Sequence, residues 1–189
     1  MLTSNQGNRL IELARKSIES AFEGEHLKTS DEIRQEFSEK QGVFVTLHKN
    51  KNLRGCIGYP MPTLPLYEAI ISAARSSAFQ DPRFPPLSKS ELNYIDIEIS
   101  VLSVPELIEI QKPSEYFEKI NIGEDGLIIK DKEHSGLLLP QVATEYGWSP
   151  EEFLMHTCNK AGLNSDAWKE PSIKLYKFQA QVFNEEKTD

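Results

Sequence analysis

No arginine follows Arg83 in this 189-residue chain, there are only two cysteines, and no apolar run approaches the roughly 20 residues that span a bilayer. Each absence narrows the function. Cys56 and Cys158 lie about a hundred residues apart and neither belongs to a Cys-x-x-Cys pair, which removes zinc-ribbon and thioredoxin-like readings. Both are expected to be free thiols, as in a cytoplasmic protein. His156 and Cys158 stand two apart on a predicted helix, on opposing sides, so they do not share a metal. His48 and His134 fall in two predicted hairpin turns, where they are expected to be exposed. No metal site and no cofactor are expected, and neither a glycine-rich phosphate loop nor a Ser-His-Asp signature is present. Met1 to Arg9 is polar and lacks the apolar core of a signal peptide. The expectation is a cytoplasmic protein without a membrane segment.

Charge sharpens the picture. The net charge of −8 argues against general binding to nucleic acid or anionic membrane, and aromatic residues are not interleaved with a basic stripe. Residues 1–90 carry twelve Lys and Arg against ten acids, whereas residues 91–189 carry nine against nineteen. All six arginines (Arg9, Arg15, Arg34, Arg54, Arg75 and Arg83) lie in the first half. Guanidinium groups make planar two-pronged contacts with carboxylate and phosphate, so an anion site belongs there if one exists; the alternative is a chance distribution. With 39% hydrophobic and 26% charged residues the chain is an ordinary globule, long enough to bury about 70% of its unfolded surface.

Periodicity gives the elements. Leu10, Leu13, Ala14, Ile18 and Ala21 share one face of a helix from about Asn5 to Phe22. Thr29 with Glu32 has capping-box spacing before a short second helix. Val43–Leu47 and Leu53–Tyr59 read as strands joined by a polar turn, His48 to Asn52. Pro65 opens a helix along which Leu66, Ile70 and Ser77 share a side. Asp81-Pro82-Arg83-Phe84-Pro85-Pro86 cannot be helical, and Ile95, Ile97, Ile99 and Val101 alternate through a half-buried strand. A second round follows: strands 126–130 and 136–139, a helical piece from Pro140, a helix capped by Ser149-Pro150-Glu151-Glu152, and a strand 173–183. Charge dominates Asn184 to Asp189, which reads as an unfolded tail. The fold class is α+β: two packed subdomains with antiparallel or mixed sheets flanked by helices, arising from internal duplication of a hairpin–helix–strand unit. The expected organisation is one domain over 1–189, with a helical region at about 1–40 and units at about 43–104 and 121–183.

Leu53-Arg54-Gly55-Cys56-Ile57-Gly58 breaks local rules, since a strand interior has little use for two glycines, an arginine and a cysteine. In a regular strand Arg54, Cys56 and Gly58 share one face. Arg54 would then lower the pKa of the thiol, provided the site is partly exposed, and Gly58 would leave room beside it. The competing reading is a cysteine packed as a small hydrophobe. Asp81 and Arg83, in the proline-stiffened loop, could face a ligand, or cap a turn and form a structural ion pair. Glu98 is a candidate base on the central strand, or a member of an ion-paired strand face.

The hexapeptide resembles the hallmark of the AMMECR domain family, the protein A of the AmmeMemoRadiSam system. Gly42–Leu47, Asp81-Pro82-Arg83-Phe84, Ile99-Ser100-Val101-Leu102, Gly123-x-Asp125-Gly126-Leu127, Leu138-Leu139-Pro140-Gln141-Val142, Gly147-Trp148 and Lys160-Ala161-Gly162-Leu163 extend the similarity along the chain. The resemblance implies a two-part α+β fold with internal duplication. It also implies a pathway shared with a radical-SAM protein and a Memo-like protein, without specifying a reaction. Two functions stay open. One is an enzyme or enzyme subunit acting on a small anionic or peptide-like group, with Cys56 as nucleophile, Glu98 as base, and Arg54, Gly55, Gly58, Asp81 and Arg83 binding substrate. The other is a non-catalytic module whose hexapeptide groove docks a partner protein.

Overall fold

A computed structural model describes residues 1–25 and 27–185. The chain forms two compact units, Met1–Leu102 joined by the segment that begins at Gln181, and Ser103–Ala180.

The first unit opens with α1 (Ser4–Phe22), capped by a reciprocal Thr3–Gln6 box, and α2 (Asp31–Glu36), whose N-cap is Ser30, one residue later than the sequence pattern suggests. The hairpin of β1 (Gly42–Lys49) and β2 (Asn52–Tyr59) turns through Asn50 and Lys51, both at positive φ. This is the two-residue primed turn whose twist suits a hairpin. The helix α3 (Leu66–Phe79) follows, then a 3₁₀ turn at Lys89–Tyr94 and β3 (Ile95–Leu102). Strand β1 lies between β2 and β3, antiparallel to both. Val43, Val45, Leu47, Ile95, Ile97 and Ile99 present one sheet face to a buried core that includes Leu10, Ala14 and Ile18 of α1 and Leu66, Ile70 and Ala73 of α3. Each such valine, leucine or isoleucine side chain contributes about 1.5–3 kcal/mol on burial.

The second unit comprises β4 (Glu106–Leu107), α4 (Tyr116–Lys119), β5 (Asp125–Lys130), β6 (Ser135–Leu138), α5 (Pro140–Tyr146), α6 (Pro150–Lys160) and most of β7 (Lys174–Asn184). Strand β5 pairs with β6 and β7, and β4 with β7, all antiparallel. Leu127, Ile129, Phe153, Leu154, Trp168 and Leu175 fill the core. The class is thus α+β as expected. Hairpin, helix and strand recur in order, with two helices in place of one the second time.

Two local expectations change. His48 lies within β1, because the turn is only two residues long. Asn184 belongs to β7, and Glu185 pairs with Arg15, its Oε1 at 2.5 Å from Nε, and donates its backbone N–H to the Ile97 carbonyl at 2.9 Å. The remainder of the expected tail, 186–189, lies outside the described residues.

Candidate functional site

The hexapeptide forms most of β2, the outer strand of the β2–β1–β3 set, and its neighbours follow from register. Thr46 of β1 lies directly opposite both Cys56 and Glu98, so Cys56, Thr46 and Glu98 form a row across three strands. In the next row Phe44 stands between Gly58 and Ser100. These residues share the sheet face turned away from the helix-packed core.

Cys56 is half-buried, and its Sγ accepts a hydrogen bond from Thr46 Oγ1 at 3.2 Å. Its backbone N–H donates to Asp81 Oδ2 at 2.9 Å, and its carbonyl accepts from Arg83 Nη2 at 3.2 Å. A carboxylate and a guanidinium therefore stand where a further strand would place its C=O and N–H, and they close the sheet edge. The loop that carries them is set by its prolines. Asp81 also accepts from the Arg83 backbone N–H at 3.1 Å and from its Nε and Nη2 at 2.9 and 2.7 Å. The Asp81 side chain is 1% exposed, whereas that of Arg83 is 53% exposed. The Arg83 guanidinium, aided by the Cys56 and Arg83 backbone N–H groups, holds the Asp81 carboxyl far below the usual carboxylate range.

Burial pushes the Cys56 thiol up, and Asp81 and Glu98 repel its anion; the Thr46 hydroxyl and Arg83 offset this only in part. The net direction is upward, so Cys56 rests as a thiol at neutral pH. The expected thiolate-stabilising role of Arg54 is not what the geometry provides. Leu47 opposes Gly55 and His48 opposes Leu53, which leaves Arg54 as the extra residue of a β-bulge. Its guanidinium makes a two-pronged pair with Glu91, both contacts at 3.1 Å, and lies over the Phe84 ring at 6.0 Å. Lys49 Nζ joins the same carboxylate at 2.9 Å. Arg54, with help from the Ser88 backbone N–H and Lys49, holds Glu91 far below the usual carboxylate range. Arg54 Nη1 and Ser100 Oγ are both buried without a hydrogen-bond partner.

Neither glycine opens a binding space. Gly55 faces α3: a Cβ there would lie 2.2 Å from the Ser77 carbonyl oxygen. The Ser77 hydroxyl in turn accepts from the Ile57 N–H at 2.8 Å and donates to the Val45 carbonyl at 2.7 Å. A Cβ on Gly58 would meet the Val43 carbonyl oxygen at 2.3 Å and the Phe44 ring at 2.4 Å, so the room beside the thiol is already filled.

Glu98 does stand on the thiol's face, and His48 Nε2 lies 3.8 Å from Glu98 Oε2. Thr46, Glu91, His48 and Ser77 were not singled out for the site by sequence reasoning; the alternation of β1 could have revealed Thr46 and His48. Among the described residues no group of three or more His, Cys, Asp or Glu side chains is placed to hold a metal ion. A groove of about 980 Å³ lies elsewhere, in the second unit, lined by Ile108, Ile110, Tyr116, Trp168 and Ile173.

The chain belongs to the AMMECR1 family, whose model matches residues 11–183. Among its relatives, a protein of Methanothermobacter thermautotrophicus is 50% identical over 98% of this chain and 97% of its own. Protein MJ0810 of Methanocaldococcus jannaschii is 48% identical over 98% of this chain and 92% of its own. The crystal structure of uncharacterized protein PH0010 from Pyrococcus horikoshii superposes with a TM-score of 0.92 at 47% identity, covering 98% of this chain and 94% of that one. Among the described residues no helix is long and apolar enough to cross a membrane.

Proposed function

We propose that the Cys56 face of the first unit is the substrate site of a cytoplasmic enzyme or enzyme subunit, and that Cys56 works from its thiol form. The observation that carries this reading is the row Cys56–Thr46–Glu98, with the half-buried Cys56 beside the exposed side chain of Arg83. Arg83 offers a cation to an anionic or peptide-like group. Glu98, with His48 Nε2 at 3.8 Å, is the candidate base on this face, separated from the thiol by Thr46. Arg54 itself acts by positioning, through Glu91. The radical-SAM and Memo-like proteins implied by the resemblance are the candidate pathway partners.

Thiol alkylation of the native protein across pH tests this, with the wholly buried Cys158 as internal control. Cys56 is expected to react first, with a midpoint above that of ordinary cysteine. Glu98→Gln removes a repelling charge and should lower the midpoint, while Arg83→Ala removes a cation and should raise it. Modification of Cys56 only after unfolding, together with Cys158, would end its role as a nucleophile.

The second reading, a partner-docking module without chemistry, has one observation in its favour: both arginines are already engaged, Arg54 with Glu91 and Arg83 with Asp81. On that reading Arg54→Ala loses a bound partner that Cys56→Ser retains. Equal partner recovery with both variants would remove it.

A further inference from the structure

Trp148 is stacked nearly parallel with two other rings on the surface of the second unit. Its centroid lies 4.9 Å from Tyr146 with 15° between planes, and 3.8 Å from His156 with 10°. The aromatic contacts around the buried Trp168 of the same unit differ, since Tyr116 and Phe117 meet it edge-on. The stack is anchored by backbone. Gly147 adopts a left-handed conformation after α5, and the Trp148 N–H returns to the Ala143 carbonyl at 2.9 Å. Ser149 then caps α6, which carries His156.

Packing accounts for Trp148, which rests partly buried against the core, but not for Tyr146, which is 69% exposed. A rigid, solvent-facing aromatic surface fixed by two helix caps is preorganised for contact with a planar group. Its surroundings choose the charge. Glu145 and Glu151 are exposed on the adjoining turns, and Glu152 is kept ionised by the Ser149 N–H and hydroxyl. Residues 103–180 hold thirteen acids against eight lysines and no arginine. An aromatic face with carboxylates on the adjoining turns of an acidic unit disfavours phosphate and attracts a planar cation, and guanidinium fits both a π-face and a carboxylate. The stack is open at its exposed Tyr146 end, which suits a side chain presented by an extended segment.

We propose that the Tyr146–Trp148–His156 stack, with Glu145 and Glu151, is a docking site for an arginine side chain of a partner protein. The test uses the full chain and two amidated peptides, Gly-Arg-Gly-Arg-Gly and its lysine counterpart, followed through the Trp148 indole N–H signal by NMR. The arginine peptide should shift that signal saturably, and the lysine peptide should bind about threefold more weakly or worse. Tyr146→Ala, at an exposed position, should weaken the arginine peptide about threefold, and Glu145→Gln with Glu151→Gln should weaken it further. Equal binding of the two peptides, indifference to Tyr146→Ala, or absence of a saturable shift would each overturn the proposal. A Trp148 shift driven better by adenosine than by the arginine peptide would overturn it in favour of base stacking.

Discussion

Alanine at Gly55 is expected to destabilise the protein by about 3 kcal/mol or more, which is near the upper end for overpacking. The added Cβ would lie 2.2 Å from the Ser77 carbonyl oxygen and 3.1 Å from its carbonyl carbon. Backbone is in the way, so no rotamer change relieves the clash. Nor can α3 easily withdraw, because the Ser77 hydroxyl is pinned between the Ile57 N–H and the Val45 carbonyl. For a chain of this length the loss corresponds to a fall of about 6–12 °C in Tm. Gly24→Ala supplies the contrast: its φ of +70° brings strain, but nothing lies within 4 Å of the new Cβ. That variant should lose only about 1 kcal/mol. Thermal and urea unfolding of both variants measure the difference. A Gly55→Ala protein within about 1 kcal/mol of the parent would mean that the close approach of α3 to β2 is not what Gly55 is for.

This result bears on the hexapeptide as a whole, whose unusual residues have separate roles. Gly55 and Gly58 admit α3 and Phe44, Arg54 ties β2 to Glu91, and Cys56 places a free thiol on the polar face. Loss of function in a glycine variant would therefore report folding, whereas on the proposed reading loss in Cys56→Ser or Glu98→Gln would report chemistry.

Much of the fold was legible because the signals were local. The alternation Ile95, Ile97, Ile99, Val101 located β3, and Ser149-Pro150-x-Glu152 located the start of α6, since period and caps depend on neighbours in sequence. The place of Cys56 was legible for the same reason. What escaped was non-local. A bulge depends on how two strands pair, so alternation alone put Arg54 beside the thiol when pairing sends it to Glu91. Glu91 sits in a 3₁₀ turn with no strong periodic signature, 37 residues from its partner. The upward direction of the Cys56 pKa was equally hidden, because burial is a property of the whole packed face.

Asp81→Asn is expected to destabilise the first unit by about 1–3 kcal/mol at neutral pH, the cost of leaving buried hydrogen-bond donors unmet. The carboxylate serves the Cys56 N–H, the Arg83 N–H and the Arg83 guanidinium at once, and an amide cannot accept all of these. The effect depends on pH with a definite sign. Folding lowers the affinity of Asp81 for its proton, so the unfolded chain binds more protons in acid. The stabilisation is complete well above the ordinary carboxylate pKa of about 4, and it fades as pH falls through that value toward the lower folded one. Glu91 acts in the same direction through Arg54 and Lys49. Urea midpoints measured from about pH 7 down to about pH 3 should therefore fall steeply for the parent and less steeply for Asp81→Asn, the two curves converging in acid. Parallel curves would show that Asp81 titrates as an ordinary exposed carboxylate. Because the same substitution unlatches the edge of β2 at Cys56, alkylation of the thiol should accelerate at neutral pH even while Arg83 remains. A latch that governs both the acid stability of the first unit and access to Cys56 is what the Asp81–Arg83 geometry predicts, and the two measurements must change together.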